Sequence, residues 1–473
     1  MKKLCVFLVL CVTGFYLYAA QLVVLNTTDL HGRLEGPYRG LLQIASLIEK
    51  QRQLYPPGSI LLIDCGDTVQ GTFASMVFKG RLMVKCLNYL KYDAWIPGNH
   101  DFDYGPEILK KRLREFSGSA LAANLANNCL DQTCRPWKMF KRNGIKIAVI
   151  GVTEPYLKNV SGALTKAVKR VMPEVRKADP DIIILAQHYG MYAKKFSVYK
   201  LAAEYPEINL IIGGHTHQKN PGEKIGSGGW YFQAGKYACG LGKIIIDYDE
   251  KNKKIVRINS ELIPVTDDTP ADKKLLSSLM PDLKYAGKLA EEKIATINFK
   301  NTAGLDSSFV EQRIIGAMML NLTGADVAIS NAYPSKYKLS GKTPITLKRL
   351  YYWNRFEDTV CTLTMNKVVF EKIIAEQKGC RKNKYNAIIS YADETTFKKK
   401  EMISAAFSSY GVSGAGGKFP FLHGIAENHE YMLKDTGVII RDGLEKYLKG
   451  KQFTVSAKTN GEIVVEQTGE KPE

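Results

Sequence analysis

The amino-acid sequence predicts a layered α/β domain with buried sheets, followed by a smaller α+β domain. Three observations predict it. From Leu22 to about Pro264, short apolar runs alternate with helical patterns. The runs are rich in Ile, Leu and Val, as strands covered on both faces require. From Ala295 onward the alternation gives way to a mixed pattern of helices and strands.

Taken in order, strands are expected at Leu22–Leu25, Ile60–Ile63, Ala94–Ile96, Ile145–Ile150, Ile182–Leu185, Leu210–Ile212 and Lys243–Tyr248. Helical patterns lie between them, at Leu41–Leu54 and Pro106–Phe116 for example. The stretch Thr266–Ile294 is polar, contains Pro270 and Pro281, and reads as a linking helix or hinge. Beyond it come a helix near Val310–Leu320, strands near Val327–Ser330 and Thr359–Met365, and a helix at Lys367–Gln377. A strand pair is expected after Gly450, with Thr468–Glu473 loose. The expected division is 1–20 as an export signal, 21–265 as the first domain, 266–294 as the linker and 295–473 as the second domain.

At 473 residues the chain exceeds one compact core, and 45% hydrophobic with 24% charged residues is a globular composition. The signal reading rests on Lys2 and Lys3, an apolar stretch from Leu4 to about Leu17, and Ala19-Ala20. Tyr18 is bulky for the third position before a cut after Ala20, so an uncleaved anchor is the alternative. No later segment offers the roughly 18 apolar residues of a membrane span. The expectation is an exported protein, periplasmic or secreted, and a monomer. Its formal charge is 66 − 47 = +19. From Lys300 onward there are 25 basic and 19 acidic residues, so the excess is spread through both halves. That suits anionic small molecules and does not form the stripe a nucleic-acid polymer needs. Once Cys5 and Cys11 leave with the signal, seven cysteines remain, of which Cys129 and Cys134 could bridge.

Five of the seven histidines sit in four short motifs, each after an apolar run: Asp29-Leu30-His31, Asn99-His100-Asp101, His188, and His215-Thr216-His217. A fifth run ends in Asp64-Cys65-Gly66-Asp67. In α/β domains ligands gather beyond the carboxyl ends of strands, where these motifs lie. Imidazole, carboxylate and amide oxygen without thiolate suit a hydrolytic metal centre and leave zinc, manganese, iron and cobalt undistinguished.

These motifs, with Gln70-Gly71-Thr72 and Phe102-Asp103, resemble those of calcineurin-like metallophosphoesterases, and among them the bacterial 5′-nucleotidase family. The resemblance implies an α/β/β/α first domain and a C-terminal substrate-binding domain. It implies two divalent ions bridged by Asp67, with Asp29, His31 and His217 completing one site and Asn99, His188 and His215 the other. Two such cations neutralise phosphoryl charge and lower the pKa of water, giving hydroxide at neutral pH to attack phosphorus. His100 is placed by the resemblance as a non-ligand facing the phosphoryl group, oriented by Asp103.

In the second half, Tyr351–Val360 is similar to the family's aromatic-x-Asn-Thr segment and puts Phe356 at one base-stacking position. Ser408-Ser409-Tyr410 with Gly414–Phe419 is similar to the second segment, making Tyr410 the other ring. The family's Asn-Gly-Gly-Gly-hydrophobic-Arg loop corresponds to Asn331–Lys336, where lysine lacks the planar fork of arginine. Arg313 lies in a segment resembling another substrate-facing helix. The implied activity is phosphate release from nucleotides, most simply nucleoside 5′-monophosphates. The Tyr410 segment is also similar to the 2′,3′-cyclic-nucleotide phosphodiesterase/3′-nucleotidase branch. A non-catalytic exported binding protein on the same scaffold is a further alternative, whose mark would be a lost ligand; all seven are present.

Overall fold

The computed structural model describes residues 20–34, 40–125, 133–154, 164–193, 196–301, 307–331, 339–379, 387–414, 419–428, 430–457 and 463–470. The expected signal segment and Cys129 lie outside them, apart from Ala20, which opens the first strand. Among the described residues no helix is long and apolar enough to cross a membrane. The chain divides into two compact units. One comprises 1–69 and 80–276, and the other comprises 70–79 and 277–473.

The first unit holds two six-stranded sheets. In one, Ala20–Thr27, Ile60–Asp64, Ala94–Trp95 and Ser119–Ala120 run parallel, and Gly240–Asp249 and Lys254–Pro264 add an antiparallel edge. In the other, Ile145–Val152, Ile182–Gln187, Leu210–Ile212 and Gly229–Ala234 run parallel, flanked by Trp137–Arg142 and Lys219–Ile225. The sheets pack face to face through one buried core. Leu22, Val24, Leu61 and Ile63 of the first meet Ile147, Val149, Ile184 and Ile212 of the second. Strand side chains alternate between faces, so the second sheet's opposite set (Ala148, Ile150, Ile183, Leu185) packs under helices Leu164–Lys177 and Val198–Glu204. Burial on both faces explains why these strands read as unbroken apolar runs.

Register brings the strand ends level. Thr27 pairs with Asp64 and Asp64 with Trp95 in one sheet, and Ala186 pairs with Ile212 in the other. The loops that follow therefore start from the same rim.

The second unit has a four-stranded sheet (order Gly341–Thr346, Lys293–Lys300, Lys451–Ala457, Ile463–Glu470). It also has a five-stranded one (order Ala387–Tyr391, Val327–Asn331, Met402–Ser408, Thr359–Asn366, Lys434–Ile439). Helices Ser307–Thr323 and Ile440–Leu448 supply much of one core, and Lys367–Gly379 and Pro420–Glu427 supply another. A helix occupies Lys273–Ala290 within the stretch read as a linker. Segment 70–79 belongs to this unit: Phe73 meets Tyr351 edge-on, with ring centroids 6.0 Å apart. One expectation is corrected. Thr468–Glu470 is strand, not loose tail, because Gly469 pairs with Gln452 and Glu470 with Lys451. Backbone pairing to a neighbouring strand holds a segment whose polar side chains give no apolar signal.

Candidate metal centre

The loops after the aligned strands are held by backbone bonds before any side chain is considered. Asp29 N–H donates to Gly66 O (2.8 Å), His31 N–H to Asp67 O (2.8 Å) and Gly32 N–H to Thr68 O (2.9 Å). Asp29, His31, Asp67, His215 and His217 all take φ between 47° and 68°. That left-handed region costs an ordinary residue about 1–2 kcal/mol. Strain of this kind persists where the surroundings over-determine a site.

The side chains so aimed converge in two groups. Asp29, His31, Asp67 and His217 form one, and Asp67, His188 and His215 form the other, with each group's donor atoms within 4.8 Å of one another. Asp67 is common to both. Two ligands each about 2.0–2.2 Å from one ion stand roughly 3.0–3.5 Å apart. The separations match: His31 Nε2 to His217 Nε2 is 3.2 Å, His217 Nε2 to Asp29 Oδ1 is 3.3 Å, and His188 Nε2 to Asp67 Oδ1 is 3.2 Å. Asn99 Oδ1 lies 2.8 Å from His215 Nδ1, on the rim of the second group.

The electrostatics fit cations as well. Burial first, then the neighbouring histidines, pull His31 and His215 down to about 4, so both are neutral rings with a lone pair to give. His188 donates from Nδ1 to Cys65 O at 2.5 Å, which leaves Nε2 as the ligand atom. That Nε2 is buried and faces Asp67 Oδ1. Burial works against a charged His188, but Asp67 outweighs it and raises the ring to about 10, so a cation on Nε2 takes a proton's place. His188 and the other neighbouring histidines likewise hold the Asp67 carboxyl well below its ordinary range, despite burial. The two groups are sites for two divalent metal ions.

Other residues brace this frame. Asp101 accepts three backbone N–H groups at 2.8 Å, those of Gly98, Thr68 and Val69, and so ties the Asn99 loop to the Asp67 loop. Asp64 accepts from Thr27 Oγ1 (2.6 Å), Gly66 N (3.0 Å) and Thr68 Oγ1. Both carboxylates stand in the motifs, yet only the fold reveals which amides they reach. His100 N donates to Asp67 Oδ1 (2.8 Å), and its ring Nδ1 lies 3.0 Å from Asp103 Oδ2. Tyr237 went unnoticed in sequence; its ring centroid is 5.4 Å from that of His31 and 5.7 Å from that of His217.

Residues 22–219 match the family model for calcineurin-like phosphoesterases. This part of the chain is a calcineurin-like phosphoesterase domain. All the gathered metal-group residues lie inside it. The chain is 24% identical to Protein UshA of Yersinia enterocolitica over 460 residues, covering 83% of this chain and 81% of the relative. It is 27% identical to a 5′-nucleotidase of Vibrio cholerae, covering 66% and 68%. The structure of a putative 5′-nucleotidase from Staphylococcus aureus superposes with a TM-score of 0.72 at 19% identity, over 90% of this chain and 96% of that one, which shows a shared fold. With its two ion sites, the phosphoesterase domain makes this chain a metal-dependent phosphohydrolase.

In the second unit Phe356 and Tyr410 are half-buried. Phe356 precedes strand Thr359–Asn366 and Tyr410 follows strand Met402–Ser408; the two strands are antiparallel, so both rings stand at one sheet end. Thr359 N–H joins the segments by donating to Ser409 Oγ (2.9 Å). Arg313, on helix Ser307–Thr323, donates from Nη1 to Ile389 O (2.5 Å). Asn331 ends a strand, and Lys336 lies outside the described residues.

Proposed function

We propose that this protein is an exported nucleotide phosphohydrolase that releases phosphate from nucleoside 5′-monophosphates. The observation that carries the reading is the sharing of Asp67 between two ion-binding groups, with a fixed histidine beside it. When bound, two divalent ions supply charge neutralisation for a phosphoryl group and an acidified water.

The chain's own residues do the rest. Asp29, His31 and His217 would hold one ion and Asn99, His188 and His215 the other, with Asp67 common to both. His100 faces the phosphoryl oxygens. Burial disfavours its charge, but Asp103 and Asp67 outweigh burial and raise it to about 9. Asp103, on Nδ1, leaves Nε2 to donate to the phosphoryl group. Phe356 and Tyr410 stack the base, Arg313, Asn331 and Lys336 contact the substrate's polar groups, and the helix in 266–294 serves as the hinge. Stacking accepts any base because every base has a π-face.

Turnover of 5′-AMP, 3′-AMP, 2′,3′-cyclic AMP and p-nitrophenyl phosphate on one manganese-loaded preparation tests the substrate. The expected order puts 5′-AMP highest in kcat/KM. A preference for 2′,3′-cyclic AMP and 3′-AMP assigns the cyclic phosphodiesterase/3′-nucleotidase activity instead.

A further inference from the structure

We propose that Gln233 is a positioning residue for both ion groups. Its side-chain amide holds the His215-Thr216-His217 turn in a strained form from which one loop supplies a ligand to each ion. The proposal rests on the two ion sites and does not depend on which phosphate ester is hydrolysed.

The strain lies in the backbone. Thr216 N–H donates to Gly214 O, only two residues back, at 2.7 Å, and His215 between them has φ 68°. That combination is the rarer, strained hand of the γ-turn. His217 follows at φ 61°. His215 belongs to the second ion group and His217 to the first, so relaxation of the turn displaces a ligand of each. Backbone bonds pin the entry to the loop, Gly213 N–H to Phe232 O (2.9 Å) and Gly214 N–H to Tyr189 O (3.0 Å). Past them, His215 N–H reaches the Asp29 carboxylate at 3.2 Å, a group that is itself an ion ligand. The remaining hold comes from Gln233.

Gln233 lies near the end of strand Gly229–Ala234 and is fully buried. Phe232 pairs with Ile212, so Gln233 stands level with the start of the loop. Its Nε2 donates to Gly214 O (3.2 Å) and to Thr216 Oγ1 (3.1 Å), one contact on each side of His215. Its Oε1 accepts from Tyr231 OH (2.8 Å), on the same face of the strand, and lies 3.2 Å from Thr216 Oγ1. Gly214 O can only accept, which fixes the amide with Nε2 towards the turn. Both amide protons are thus spent on the turn, and the oxygen ties the amide to its own strand. A buried polar group satisfied in this way is rigid, and one left half-satisfied is costly. The packing leaves no slack: a Cβ on Gly213 would lie 2.2 Å from Tyr231 Oη, and one on Gly190 2.3 Å from Thr216 Cγ2.

The test titrates manganese by calorimetry into the metal-stripped full chain, as wild type, Gln233→Met, Thr216→Val and Thr216→Ser. Circular dichroism and the melting temperature of each stripped protein accompany it. The wild type is expected to take two ions. Gln233→Met keeps the bulk and removes the hydrogen bonds. Both ions should then bind roughly ten- to a hundredfold more weakly, the loss typical of a group that orients metal ligands. Phosphate release should need correspondingly more manganese and reach the wild-type maximum at excess. Thr216→Val should weaken binding roughly two- to tenfold, the worth of one neutral hydrogen bond, and Thr216→Ser should restore it. A merely structural role would lower the melting temperature of the stripped protein and leave the manganese affinity of folded protein unchanged; that result overturns the proposal. So does Thr216→Val binding as tightly as wild type, which decides the matter if Gln233→Met fails to fold. Weakening confined to one ion also overturns it, since the turn serves both. A wild type that takes up no manganese removes the ion sites and the positioning role together. A wild type that binds two ions and releases no phosphate contradicts the activity alone, and the affinities still decide the role of Gln233.

Discussion

Asp67→Asn is expected to lower phosphate release by about a thousandfold or more, with the fold retained. Asp67 is the one residue shared by the two ion groups, and one of its oxygens also accepts His100 N–H. The amide keeps the shape but loses the charge and one acceptor. His31, 3.6 Å from Oδ2, and His188, 3.2 Å from Oδ1, then converge without an anion between them. Metal-ion stabilisation of phosphoryl charge is worth several kcal/mol, and each 1.36 kcal/mol is about tenfold in rate. Circular dichroism separates loss of chemistry from loss of structure. A folded Asp67→Asn enzyme within tenfold of wild type would remove the bridging role.

Gly98→Ala is expected to weaken ion binding by about ten- to a hundredfold, although glycine there is not needed for its backbone angles. Gly98 has φ −95° and ψ 176°, which any residue adopts. The obstacle is space. A Cβ at this position would lie 2.3 Å from Asp67 N, 2.3 Å from Asp67 Oδ1 and 2.8 Å from His188 Cε1. Two of the three atoms belong to side chains of the second group, so relief of the clash moves ligands. Overpacking of this size costs roughly 1–3 kcal/mol. Activity titrated against manganese should show a raised requirement with the maximal rate recovered at excess. An unchanged titration would mean that the loop yields elsewhere.

Much of the first domain was legible because its physics is local and repetitive. Strands buried on both faces leave unbroken apolar runs, and the rim they share puts the following residues together. The motifs that hold Asp29, His31, Asp67, His188, His215 and His217 could be found from residue type and position, the resemblance to the family implied which of their residues are ligands, and the structure gathers these six. What could not be read depends on partners distant in sequence. Asp101 stood in view beside His100, but its bonds to Gly98, Thr68 and Val69 exist only once two loops meet. The stacking of Arg33 on Tyr237 joins residues some two hundred positions apart. Segment 70–79 gives no sequence sign that it packs with Tyr351. Strand Ile463–Glu470 is expected as half of a strand pair, but its polar end from Thr468 is strand only through its pairing.

The most direct test of the central claim is the ion content of the purified wild-type protein, measured by mass spectrometry alongside phosphate release as a chelator strips the ions and manganese is returned. Two divalent ions per chain are predicted, with release falling as they leave and recovering as both return. Undiminished release from protein that holds no ions, or full activity at one ion per chain, would contradict it.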